Sequence, residues 1–97
     1  MSKNLHTNAM DMLLKGVLSL KNMDEAYLFF EDLCTVGELE ALQQRFEVAL
    51  LLRKEKTYQE IAETTGASTA TISRVNRALN YGNDGYDMIF ERLEEES

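Results

Sequence analysis

An all-α fold built around a helix-turn-helix is predicted by three observations. The first is the stretch Thr57–Leu79, where two short helical patterns meet at Gly66. The second is a recurring start signal. Asn22 with Glu25, Thr35 with Glu38, and Thr57 with Glu60 each set a capping side chain three residues before a glutamate, which satisfies the free N–H groups at a helix N-terminus. The third is periodicity: the chain is 44% hydrophobic, has no proline, and its apolar residues recur at spacings of three and four. Its 97 residues suit one domain, residues 1–97.

Taken in order, residues 1–6 read as a frayed start. A first helix is expected from Thr7 to Leu20, with Ala9, Met10, Leu13, Leu14, Val17, Leu18 and Leu20 as a broad apolar stripe. A second, Met23–Leu33, carries Ala26, Tyr27, Leu28, Phe29, Phe30 and Leu33 around much of its circumference. A helix that is hydrophobic nearly all round needs burial. So short an all-helical chain has little interior to offer, so the pattern points to a homodimer core. A long third helix, Val36–Arg53, presents Leu39, Leu42, Phe46, Ala49, Leu50 and Leu52. Arg45 interrupts its other face, where it can pair with Glu38 or Glu40. Lys54–Lys56 form a short polar connection.

The helix-turn-helix follows. Thr57 and Glu60 open its first helix, and Ile61 and Ala62 supply the buried side. Gly66 suits the left-handed turn at which a helix ends. Ser68 caps the second helix, whose apolar stripe is Ile72, Val75 and Leu79. Its opposite face carries Thr69, Ala70, Ser73, Arg74 and Arg77. Short polar side chains, a methyl group and cations are the residue types that read base edges and phosphates in a major groove. Asn80–Tyr86 reads as a turn, and a last helix, Tyr86–Glu94, carries Met88, Ile89, Phe90 and Leu93 before a fraying acidic end.

Charge sharpens the picture. The net charge is -7, which argues against a generic basic DNA binder. Residues 53–81, however, hold five Lys/Arg against three Glu, while both flanking segments are acidic. The helix-turn-helix is the one positive island, so local cations can meet phosphates while the acidic body weakens nonspecific association. Cys34 is the single cysteine and permits no internal disulfide, in keeping with a reducing compartment. Lys15 breaks the only apolar stretch near the start, so neither a secretory signal nor a membrane span is expected, and the expected location is cytoplasmic. His6 stands alone and reads as a surface residue. Gly82 and Gly85 lack the Lys-Ser/Thr of a phosphate loop. With no nucleophile–base pair, metal-ligand cluster or cofactor loop, no catalysis, metal or required cofactor is expected.

The residues Leu33–Thr35, Glu40–Arg45, Thr57 and Gly66–Arg74, with the core Ala70-Thr71-Ile72-Ser73-Arg74, resemble the tryptophan repressor family over roughly half the chain. The segment Arg74–Tyr86 is similar to a subgroup, the YerC/YecD-type proteins related to the Trp repressor. The resemblance implies six helices per chain in an intertwined homodimer with two recognition helices. It implies a transcription regulator, acting as a repressor, on a near-palindromic double-stranded DNA operator. The DNA-contact residues expected on this basis are Gln59, Ser68, Thr69, Ala70, Thr71, Ser73 and Arg77, with Lys54 and Lys56 at phosphates.

The resemblance also implies a place for a small-molecule effector. In the tryptophan repressor the amino acid lies between the long central helix and the recognition helix, sandwiched by two arginines. Arg45 and Arg74 are similar in position to these, and Thr35 matches the family's threonine near the ligand. Two departures disfavour tryptophan itself. Ala78 stands in place of a serine that assists carboxylate capture, and Val75 in place of a glycine beside the indole. The link from Arg45 to Thr57 is also one residue shorter. Val75 can fill the ring's space, leaving either a smaller effector or none. The competing reading is a sigma-factor-like or adaptor module that works mainly through protein contacts.

Overall fold

The computed structural model of the protein describes residues 4–96, so part of the expected frayed start lies outside the described residues. Six helices follow in order: α1 (Asn8–Leu18), α2 (Met23–Leu33), α3 (Val36–Arg53), α4 (Tyr58–Thr65), α5 (Thr69–Tyr81) and α6 (Gly85–Glu96). No strand occurs among the described residues. The chain divides into two compact units between Leu39 and Glu40.

The first unit is made by its caps. Thr7 accepts from the Met10 N–H at 3.1 Å, and Asn22 accepts from the Glu25 N–H at 2.9 Å. Glu25 reaches back one residue further than a capping box does, accepting from Lys21 N–H at 2.9 Å. At the start of α3, Thr35 and Glu38 cap each other reciprocally, at 3.1 and 2.8 Å. Phe29 and Phe30 meet edge to face at 5.5 Å. The burial expected of the all-round apolar helix is not met within one chain. Neither α1 nor α2 has a fully buried residue, and Met12, Leu18, Met23, Tyr27 and Leu28 are each more than half exposed.

The second unit owns the core. Val48 and Ala49 of α3, Ile61 of α4, Ala67 of the turn, Ile72 and Val75 of α5 and Phe90 of α6 form one buried cluster. Phe90 packs its ring 5.0 Å from Phe46 and 6.1 Å from Tyr86. Arg53, at the end of α3, lies over the Phe90 ring at 5.7 Å. It donates to both the Asp87 carboxylate and the Asp87 carbonyl at 3.2 Å, and it pairs with Glu94 at 3.8 Å. Arg53 therefore clamps α6 to α3 and is engaged, unlike its neighbour Lys54. No pairing of Arg45 with Glu38 or Glu40 occurs among the described residues.

The helix α3 stops at a Schellman arrangement. Glu55 adopts a left-handed φ of 63°, its N–H donating to Leu52 O and the Lys56 N–H to Leu51 O. This holds Lys54 and Lys56 on either side of a tight exposed turn. The other boundary differs from the sequence expectation. The helix α5 continues through Asn80 and Tyr81, because the Asn80 side chain bonds to Asn76 one turn back at 3.1 Å. It ends at Gly82, where a Cβ would run into the Ala78 carbonyl oxygen. The turn is thus three residues, not seven, and α6 begins at Gly85 and extends through Glu96.

One polar contact ties α3 to the helix-turn-helix. The Gln44 side-chain amide donates to Thr65 O at 3.2 Å, satisfying one of the last carbonyls of α4. Gln44→Ala leaves that half-buried carbonyl unpaired. A cost of about 1 kcal/mol is expected, read as a lower urea midpoint at unchanged slope.

Candidate nucleic-acid interface

Four local devices fix the geometry of α4 and α5. At the start of α4, the Thr57 hydroxyl accepts from Glu60 N–H at 3.1 Å, and the Thr57 N–H donates to the Glu60 carboxylate at 3.0 Å. At its end, Gly66 takes φ 74° and donates to Ala62 O at 2.9 Å. In the turn, Ala67 is buried and its N–H donates to Thr65 Oγ1 at 3.1 Å. At the start of α5, Ser68 accepts from Thr71 N–H at 3.1 Å. None of these contacts reaches the outward face of α5, which stays free to meet a partner.

The cap has an acid-sensitive component. Hydrogen bonds from the Thr57 backbone N–H and then the Thr57 hydroxyl hold the Glu60 carboxyl below its ordinary value. The charge of Lys56 assists and slight desolvation opposes. A group lowered in the folded state stabilises the fold above its unfolded pKa, and that stabilisation is lost as pH falls through the folded value. The thermal midpoint of the protein should therefore exceed that of Glu60→Gln at neutral pH. The gap should close as the medium is taken below the ordinary glutamate range.

The expected contact residues fall into four groups. Thr69, Ala70, Ser73 and Arg77 are exposed along α5, while Ile72 and Val75 of the same helix are buried. Ser68 and Thr71 are linked to one another at 3.1 Å, Ser68 as the cap and Thr71 half-buried. Both are occupied in holding the helix start, so a base contact by either has to share its oxygen with the cap. Gln59 is exposed on α4, with its amide donating to Glu63 at 3.3 Å. Lys54 and Lys56 are exposed at the end of α3. The outward face of α5 thus combines small and cationic side chains with no carboxylate of its own.

The three residues expected around an effector divide between the two units. Thr35 belongs to the first unit and is engaged as the α3 cap. Arg45 is half-buried on α3, and Arg74 is exposed on α5. A shallow groove of about 430 Å³ lies nearby in sequence terms, lined by Phe46, Ala78, Gly82, Asn83, Gly85, Tyr86 and Ile89. Neither arginine lines it. Val75 is 2% exposed and belongs to the core. Among the described residues no group of His, Cys, Asp and Glu is placed to hold a metal, and no helix is long and apolar enough to cross a membrane.

Two residues that shape the interface have no signal in the sequence. Gln44 looks like any polar position of a long helix, and Ala67 looks like an ordinary turn residue. Only the packing of the turn against α3 distinguishes them.

Residues 8–94 match the family described as Trp repressor protein. The chain is 54% identical over 91 residues to YerC, an uncharacterized protein of Bacillus subtilis, covering 94% of this chain and 88% of that one. A crystal structure of a TrpR-like protein from Eubacterium eligens superposes with a TM-score of 0.91 at 66% identity, over 93% of each chain. A second crystal structure, from Staphylococcus aureus, gives a TM-score of 0.90 at 49% identity, over 93% of this chain and 90% of that one.

Proposed function

The chain belongs to the Trp repressor protein family, and from that premise we propose that it is a sequence-specific, double-stranded-DNA-binding transcription regulator that acts as a homodimeric repressor. One observation carries the reading: α5 turns Ile72 and Val75 into the core and leaves Thr69, Ala70, Ser73, Arg74 and Arg77 facing outward. In this arrangement the N-terminal part of α5 enters the major groove. Thr69 and Ser73 bond to base edges or phosphates, Ala70 meets a thymine methyl, and Arg77 reaches guanine or phosphate. Ser68 and Thr71 contribute at the helix start, Gln59 reaches from α4, and Lys54 and Lys56 neutralise flanking phosphates. Binding occludes a promoter, in the cytoplasm, without catalysis.

The self-association part of the proposal is supported by the first unit. Leucines, methionines and aromatics of α1 and α2 remain exposed in the single chain, and apolar surface on that scale marks an interaction site. A second copy is the partner that supplies a matching surface, and the whole chain then acts as one domain of a two-fold assembly. A two-fold dimer reads a near-palindrome with half-sites one helical turn apart or a multiple of it.

The test is selection of random duplex DNA by the purified protein, with its sedimentation mass measured in parallel. Enrichment of a palindrome by a dimer supports the reading. A monomer that selects no duplex at any salt concentration removes it.

A further inference from the structure

We propose that Glu63 is a specificity-determining residue of the helix-turn-helix: it holds the Gln59 amide in one orientation, so that α4 reads a base carrying an exocyclic amino group, adenine or cytosine, and not a phosphate. This rests on the DNA-binding reading above. It gives Gln59 a class of target and Glu63 a positioning role.

Three acids lie in the positive segment 53–81. Glu60 closes the α4 cap, and Glu55 stands in the left-handed turn after α3. Glu63 does neither. It lies in the last turn of α4, which has no basic residue and where the helix dipole disfavours a negative charge. It makes no ion pair among the described residues, and its charge opposes phosphates in the one segment suited to attract them. What its side chain does is accept from Gln59, whose Nε2 donates to Glu63 Oε1 at 3.3 Å.

That bond decides which way the amide turns. A carboxylate accepts and has no proton to give, so the reverse orientation would set the Gln59 carbonyl oxygen against a carboxylate oxygen. With one N–H committed to Glu63, Gln59 offers its Oε1 as an acceptor, with its second N–H beside it. Both residues stand two positions from the buried Ile61, about 200° round the helix, and both are exposed. The pair therefore lies on the side of α4 turned away from the core. In a major groove, Oε1 matches an amino hydrogen on adenine N6 or cytosine N4. Adenine suits it best, because the second N–H also meets N7. Guanine and thymine present acceptors there and leave Oε1 unpaired, and a phosphate is repelled by Glu63. An exposed pair of this kind is weak in water and gains strength where a groove excludes solvent.

The experiment selects random duplex DNA with the parent chain, Gln59→Ala, Glu63→Gln and the double variant. The parent should favour adenine or cytosine over guanine or thymine about tenfold at one position of each half-site. Gln59→Ala marks that position by losing the preference there. Glu63→Gln keeps the side-chain size and lets the Gln59 amide turn either way, so the preference at the same position should fall to about threefold or less. The double variant should lose no more than Gln59→Ala alone, since the two residues act as a unit. Removing the Glu63 charge also strengthens binding to every duplex alike, so base preference, and not affinity, is the readout. Both side chains are exposed, and each variant should melt within about 4 °C of the parent.

A uniform rise in affinity with an unchanged preference reduces Glu63 to a surface charge and overturns the proposal. So does a Gln59→Ala variant that alters no base preference, or a marked position that selects guanine or thymine. In those cases the parent still selects a duplex, and the DNA-binding reading stands. If neither the parent nor any variant selects a duplex, that reading fails and the proposal fails with it.

Discussion

Replacing Phe90 by alanine is expected to cost about 3–5 kcal/mol, the range for removing a fully buried aromatic. Phe90 is 1% exposed and touches both Phe46 and Tyr86, and it lies beneath the Arg53 guanidinium. The cavity cannot close easily. On one side stands α3, which also carries Val48 and Ala49 into the core, and on the other the Arg53 clamp holds α6 by its Asp87 end. A chemical denaturation curve measures the loss. Phe90→Leu should recover most of it, since it restores much of the volume without the ring contacts. An alanine variant within 1 kcal/mol of the parent would mean that α6 is not part of the folded core.

The second large effect is on DNA. Ala70→Glu should weaken binding to a selected duplex by at least about a hundredfold, because it sets a carboxylate where the proposed groove contact brings base edges and phosphates. Its fold should be unaffected: Ala70 is exposed, and glutamate near a helix N-terminus is favourable. An unchanged thermal midpoint with lost binding is the expected pair of results. Arg77→Ala supplies the graded comparison. If Arg77 meets a phosphate, its loss weakens all sequences alike and reduces the salt slope by about one; if it meets guanine, preference at one position relaxes instead. Full binding by Ala70→Glu would place the DNA on another surface.

The helices were legible because their starts are local chemistry. Asn22, Thr35, Thr57 and Ser68 accept from backbone N–H groups three residues on, and these distances depend on nothing remote. Hence α2 and α3 begin and end where the pattern places them. The end of α5 was not legible, because Asn80, Tyr81 and Gly82 read as turn formers. A side-chain bond to Asn76 supports the added turn, and the helix ends at Gly82, where any Cβ would run into the Ala78 carbonyl oxygen. At the interface, the outward face of α5 followed from helical spacing alone, given Ile72 and Val75 as the buried stripe. The support beneath it did not follow. Gln44 lies twenty-one positions before Thr65, and no periodicity within α3 marks one glutamine as the residue that pins the turn. Thr35, Arg45 and Arg74 are placed by resemblance to relatives, and spacing says nothing about whether they converge.

The lack of any fully buried residue in α1 and α2 has a consequence for how much of this protein a cell can keep. In the proposed homodimer these helices find their interior in a second copy, so they fold in proportion to encounter, and dilution should lower the melting temperature as surely as a mutation does. Newly made single chains carry exposed Leu18, Tyr27 and Leu28, the kind of surface that chaperones and proteases act on. Abundance then behaves as a threshold: below it subunits are cleared, above it they shelter one another. On the proposed homodimer, the protein's lifetime follows its concentration, and a two-fold drop in synthesis should remove more than half of the paired form.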